Sequence, residues 1–320
     1  MDTPTFQDPP ARRILPVGEA IEGIAEGDIS DDVVESFSDI ARDDLAMLAS
    51  RWPRLPLANR EGLVRRAIEW AETDVTKEFG RLYRVALTDD SEVVRQFAVI
   101  GLWEDPRPDL LATLVDVVES DPVPDVRAQA VVTIGAVLES RDIDAFAEHD
   151  VERLRDLLLT LAGDEGDSSI LRRAAVEAIG CLGDDDEAEE ILRFAATDDD
   201  AALQAAAIYA MGTTRAGDWE PIVVPALASD DSDVRSAAIR AVGLIGISDA
   251  VEVVVEAAGD DDDEVRYAAI AALGALGTPP ATRALRLLLQ DPRADDLAAL
   301  EAALDEAMIV ADAGRVDAGW

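Results

Sequence analysis

His149 is the single histidine of the chain and Cys181 its single cysteine. Between them they bound most of the chemistry this sequence could perform. A Ser-His-Asp or Cys-His site would have to be built on His149, which lies in AFAEHDVERL, a stretch with no known catalytic motif. A metal centre would have to be made almost wholly of carboxylates. Carboxylates do occur in runs: Asp184-Asp185-Asp186-Glu187, Asp198-Asp199-Asp200, and Asp260 to Asp263. These runs lack the alternating ligands and central glycine of an EF-hand loop, so we expect neither a metal site nor a cofactor. Glycine-rich phosphate loops, nucleophile elbows and dinucleotide fingerprints are all missing. Cys181 has no cysteine to pair with in its own chain and reads as a small thiol at a helix end. The expectation is a chain without catalytic residues.

Charge is the next constraint. Acidic residues number 68 and basic ones 28, a formal net charge of −40, and Lys77 is the only lysine. Such a surface repels phosphate backbones, so nucleic acid is excluded as a partner. Self-repulsion at −40 strains a compact fold in dilute buffer. At about 1 M salt the Debye length falls to about 3 Å and most of that repulsion is screened. The acid is spread along the whole chain, and with scarce lysine and abundant alanine the composition resembles that of haloarchaeal proteins. We therefore expect the charge to be an adaptation to molar salt. No uncharged apolar stretch reaches the length of a membrane span. The start, MDTPTFQDPPARRILPVGEA, has no basic residues leading into an apolar run. The expected compartment is the cytoplasm, and the expected state a monomer or weak oligomer.

What must position any functional residue is a repeat. DSDVRSAAIRAVGLIG (231–246) aligns with DDEVRYAAIAALGALG (262–277), a step of 31 residues from Arg235 to Arg266. Stepping back places Gln204, Arg172, Arg127 and Arg95 in the same slot. The step from Arg127 to Arg172 is longer, with about 13 extra residues assigned to 140–152. Three places after the slot stands alanine in all six units: Ala98, Ala130, Ala175, Ala207, Ala238 and Ala269. Four places after it stands a β-branched residue: Val99, Val131, Val176, Ile208, Ile239 and Ile270. This is the spacing of one buried helical stripe. An apolar helix precedes each acidic turn, whose Asp and Ser residues can cap the following helix. Gly246 and Gly277 suit helix ends.

A period near 31 carrying D-x-x-V-R-x-x-A-x-x-A-L-G resembles the HEAT repeat, in the short form found in bilin-lyase-like proteins. The resemblance implies an all-α fold, an α-α superhelix of about seven or eight helical hairpins. We place an N-terminal extension or cap at 1–30, the repeat array at 31–308 and a C-terminal tail at 309–320. The resemblance also implies that Arg95, Arg127, Arg172, Arg235 and Arg266 form a structural ladder between neighbouring units. One HEAT-repeat enzyme, deoxyhypusine hydroxylase, holds two irons with His-Glu pairs; this chain has no such pair, so that activity is not expected.

One and five places after the slot, the residue type varies freely. Those places are neighbours on a helix, and second helices of HEAT units line the concave face. They predict a ridge of Arg173, Glu177, Tyr209, Arg240 and Tyr267, rich in the residue types of binding hot spots. The function expected is a scaffold or adaptor that holds a protein partner on that face. The alternative is an enzyme on the same frame, lyase-like toward a tetrapyrrole or DNA-glycosylase-like. The latter would need a basic groove with aromatics, which −40 and 4% aromatic residues do not offer.

Overall fold

The computed structural model describes residues 14–141, 145–164, 166, 168–183 and 185–317. Eighteen α-helices follow one another, and no strand occurs among the described residues. The chain divides into two compact units, residues up to Val137 and residues from Leu138 onward.

The first unit holds α1 (Val17–Glu26), α2 (Asp31–Glu35), α3 (Arg42–Arg51), α4 (Leu57–Thr73), α5 (Gly80–Ala86), α6 (Glu92–Gly101), α7 (Leu110–Ser120) and most of α8 (Pro124–Ser140). Its core is the stripe expected from the repeat. Val94, Ala98 and Val99 of α6 are fully buried, as are Leu63, Val64 and Ala67 on the neighbouring α4. The aromatic residues gather here: Trp70 lies 6.5 Å from Phe79, and Phe79 lies 6.3 Å from Tyr83.

The second unit holds α9 (Glu148–Gly163), α10 (Ser169–Ile179), α11 (Asp186–Ala195), α12 (Ala201–Thr213), α13 (Glu220–Ala226), α14 (Ser232–Ile245), α15 (Val251–Ala257), α16 (Asp263–Leu276), α17 (Pro279–Leu288) and α18 (Leu297–Asp317). From α5 to α18 the helices alternate as first and second members of seven pairs. In the second unit each second helix packs on the next, α10 on α12, α12 on α14, α14 on α16 and α16 on α18. Ala175, Ala207, Ala238 and Ala269 are wholly buried along this seam.

The acidic turns act as caps. Asp231 accepts the amides of Asp233 (3.0 Å) and Val234 (3.2 Å), and Asp262 those of Glu264 (2.9 Å) and Val265 (3.3 Å). Asp185 and Asp200 cap α11 and α12 in the same way. At the other end Gly246 and Gly277 take left-handed conformations, with φ of 85° and 57°, which satisfies the last carbonyls without a Cβ penalty.

The expected boundaries fall on the elements as follows. The extra residues assigned to 140–152 run from the last residue of α8, Ser140, into the first turn of α9, which begins at Glu148; residues 142–144 lie outside the described residues. The tail assigned to 309–320 is helical through Asp317, the end of α18, and 318–320 lie outside the described residues. Within the extension assigned to 1–30, α1 is a regular helix, and residues 1–13 are likewise outside.

Candidate functional site

Each slot arginine holds a backbone carbonyl of its own unit, and four of the five also stand within 4.0 Å of an aspartate of the next unit. Arg95 Nη1 donates to the Asp89 carbonyl (2.8 Å), while Nε and Nη2 reach Asp121 at 2.7 and 3.0 Å. Arg266 donates to the Asp260 carbonyl (3.1 Å) and to Asp296, also at 3.1 Å. Arg235 holds the Ser229 and Asp230 carbonyls and stands 4.0 Å from Asp260. Arg172 holds the Ala162 carbonyl and stands 4.0 Å from Asp198. Arg127 donates to the Val118 carbonyl at 2.6 Å. Gln204, in the same slot, keeps the carbonyl bond, to Ala196 at 2.9 Å, but an amide carries no charge to pair. These side chains are engaged in bonds within the scaffold.

Four of the five ridge residues come together. Arg173 and Glu177 on α10, Tyr209 on α12 and Arg240 on α14 line one open groove of about 330 Å³. Its floor is made of small residues, Ala202, Ala205 and Ala206 of α12 with Ser236 and Ala237 of α14. Ser236 is buried, as is Ala128 in the first unit. The position after the slot is therefore not uniformly exposed: where the residue is small, it sinks between flanking helices. Tyr267, expected on the ridge, does not line the groove. Its ring lies under the Arg266 guanidinium at 5.3 Å, and its hydroxyl donates to the Asp295 carbonyl at 3.4 Å.

The electrostatics of the groove are mixed. Arg173 and Arg240 are exposed and make no ion pair within 4.0 Å among the described residues. The Tyr209 hydroxyl donates to Glu139 Oε1 at 3.1 Å. Protein crowding about the Glu177 carboxyl pushes it above the ordinary carboxylate range, and Glu139 adds to this; Arg173 and Arg240 oppose it. Burial, then Glu139, likewise push the Tyr209 hydroxyl up.

Beyond Tyr209 lies a second hollow, of about 500 Å³, walled by Leu138, Glu139, Cys181, Tyr209, Arg215 and Leu244 among others. Cys181 is half-buried there, and burial followed by Glu139 raises its thiol to about 12. Burial of this kind disfavours the thiolate, the reactive form of a cysteine. His149 is exposed, with Asp150 beside it at 3.2 Å. Among the described residues no three His, Cys, Asp or Glu side chains stand close enough to hold a metal. No helix of the described residues is long and apolar enough to cross a membrane.

Arg215 escaped the sequence reading although a signal was present. Eleven places after the slot, the second unit has Gly183, Arg215, Gly246 and Gly277. A large cation in a glycine position marks the one repeat that differs.

The family model for HEAT repeats matches residues 81–150 and 220–305, so the chain carries HEAT repeats in both units. No curated protein matches it in sequence. Among solved structures it is similar to the complex of CpcE and CpcF of phycocyanin lyase from Nostoc sp. PCC7120. That match has 18% identity, 71% of this chain, 94% of that chain and a TM-score of 0.48. It is also similar to human deoxyhypusine hydroxylase in complex with glycerol, at 17% identity, 83% and 96% coverage and a TM-score of 0.37. A designed armadillo repeat protein matches at 18% identity, 62% and 99% coverage and a TM-score of 0.37. At TM-scores below 0.5 none of these likenesses bears on function.

Proposed function

We propose that this chain, a carrier of HEAT repeats, is a non-catalytic binding module that holds a protein partner in the groove across α10, α12 and α14. One observation carries the reading: Arg173 and Arg240, exposed and without an ion pair within 4.0 Å among the described residues, flank a floor of alanines that ends on Tyr209. A floor of small side chains lets a segment of another chain lie close, and Tyr and Arg are the residues most enriched at interface hot spots. Burial raises both the Cys181 thiol and the Tyr209 hydroxyl, which weighs against acid–base or nucleophilic chemistry beside the groove. A lyase-like or glycosylase-like activity has no comparable support. We further propose the cytoplasm as its compartment and molar salt as its working medium.

The test begins with co-purification from native extract kept at high salt, with the captured protein identified by mass spectrometry. Affinity is then measured for Tyr209→Ala and Arg240→Glu. Each should cost about 2 kcal/mol or more in binding, roughly a 30-fold loss, with melting unchanged. Parent-like affinity in both variants would sink the groove reading.

A further inference from the structure

Two non-glycine residues among those described have positive φ, Asp39 at 46° and Arg215 at 56°. Their circumstances differ. Asp tolerates the left-handed region better than most residues. Asp39 is also held by the fold: its amide donates to the Glu78 carbonyl at 2.7 Å and its carboxylate pairs with Arg81 at 3.2 Å. Arg215 has no such excuse. Its amide closes the end of α12 on the Gly212 carbonyl at 3.0 Å, a bond that glycine would make equally well. Its guanidinium is exposed and makes no hydrogen bond or ion pair among the described residues. The equivalent residues of the neighbouring units, Gly183, Gly246 and Gly277, all have positive φ, where glycine pays no steric penalty. The fold therefore carries backbone strain at Arg215 without any internal bond from the side chain in return. Strain of that kind concentrates at ligand-binding positions.

Arg215 lines the 500 Å³ hollow beyond Tyr209. That hollow is of ordinary size for a small-molecule site. Its lining joins apolar surface, Leu138 and the 37%-exposed Leu244, to a second cation, Arg141. Glu139 lines it too, with the Tyr209 hydroxyl already donated to it. A planar guanidinium is matched by a carboxylate through two parallel hydrogen bonds. A dianion would meet twice the repulsion from Glu139 and from Glu177 beyond it. From this we infer that Arg215 is the anion-binding residue of a small-molecule site between the ends of α8, α10 and α12, and that its ligand is a monocarboxylate with a short apolar body. The inference goes beyond the protein-binding reading and needs no partner for its test.

Hexanoate serves as the probe, with hexanamide as the neutral match and hexyl phosphate as the dianionic one. Binding is read from the backbone amide signals of Tyr209, Thr214 and Leu244, which line the hollow and persist in every variant, in NMR titrations of the full chain. The expected result is a saturable shift with hexanoate, its loss in Arg215→Gly and Arg215→Asn, and partial retention in Arg215→Lys. Hexanamide and hexyl phosphate should bind at least tenfold more weakly. Independently, Arg215→Gly should raise the melting midpoint by about 2 °C by relieving the backbone. Hexanoate bound equally by Arg215→Gly, or hexyl phosphate bound as well as hexanoate, would overturn the ligand assignment. A midpoint that falls in Arg215→Gly would show that the arginine serves the fold, and would overturn the inference at its first step.

Discussion

Arg95 and Asp121 are both nearly removed from solvent, with 10% and 7% of their side-chain surface exposed. Removing one member leaves the other charge buried without a partner, which costs about 3 kcal/mol. Arg95→Met should show that loss in denaturant unfolding, whereas Gln204→Ala, which removes a neutral bond, should cost about 1 kcal/mol. Two acids should respond to pH with opposite signs. The amides of Val265 and Glu264 hold the Asp262 carboxyl below its ordinary value. A depressed acid contributes stability that is present above its unfolded pKa, about 3.9, and is lost as pH falls through the folded value. Asp262→Ala should therefore melt below the parent at pH 7, with the gap closing toward pH 3. For Glu177, crowding and then Glu139 raise the carboxyl. A raised acid contributes stability that is full below its unfolded pKa, about 4.3, and is lost as pH rises. Glu177→Gln should melt above the parent at pH 7 and coincide with it below about pH 4. Melts of the three proteins at both pH values check both signs.

At the scale of elements, the seam between second helices depends on glycines placed eight residues after the slot. A Cβ on Gly243 would come within 2.9 Å of the Ala272 Cα and 3.1 Å of its Cβ; on Gly212 it would meet the Ala241 Cα at 2.7 Å. Gly274 faces Ala303 in the same way at 3.0 Å. Gly243→Ala must push α14 from α16, an overpacking cost of about 1–3 kcal/mol, measurable by denaturant unfolding. This contact explains what was and was not legible in the sequence. The buried stripe, the acidic caps and the positive-φ glycines at 246 and 277 follow from local rules, and a periodic sequence states them several times over. The close approach at Gly243 depends on a helix 31 residues away, which spacing within one unit does not reveal. What holds Tyr267 was not legible either: its position on the helix marks it as variable, but the Arg266 guanidinium beside it and the Asp295 carbonyl it donates to are known only from the structure. Arg215 was readable in principle, as an arginine in a column of glycines.

For the whole molecule, the acidic residues are distributed through both units, so repulsion acts everywhere at once. At 0.1 M salt the Debye length is about 10 Å and at 1 M about 3 Å. The melting midpoint should climb steeply from dilute to molar KCl, and a salt-independent midpoint would assign the charge to some other purpose. Repeat arrays of this kind are held by nearest-neighbour contacts, and here the contacts have a direction. Along the second unit, each repeat offers a glycine toward the repeat that follows, and each but the one carrying Gln204 offers a guanidinium as well. It offers an aspartate and an alanine toward the one before, as Arg266 with Asp296 and Gly243 with Ala272 illustrate. Both halves of the joint thus travel within a single stretch of 31 residues. A genetic event that copies one such stretch inserts a plug and a socket together, and the new segment fits its neighbours on either side without further change. The length of the array is in this sense free to drift while its joints stay fixed, and an arginine in place of one glycine is how a single copy can acquire its own task.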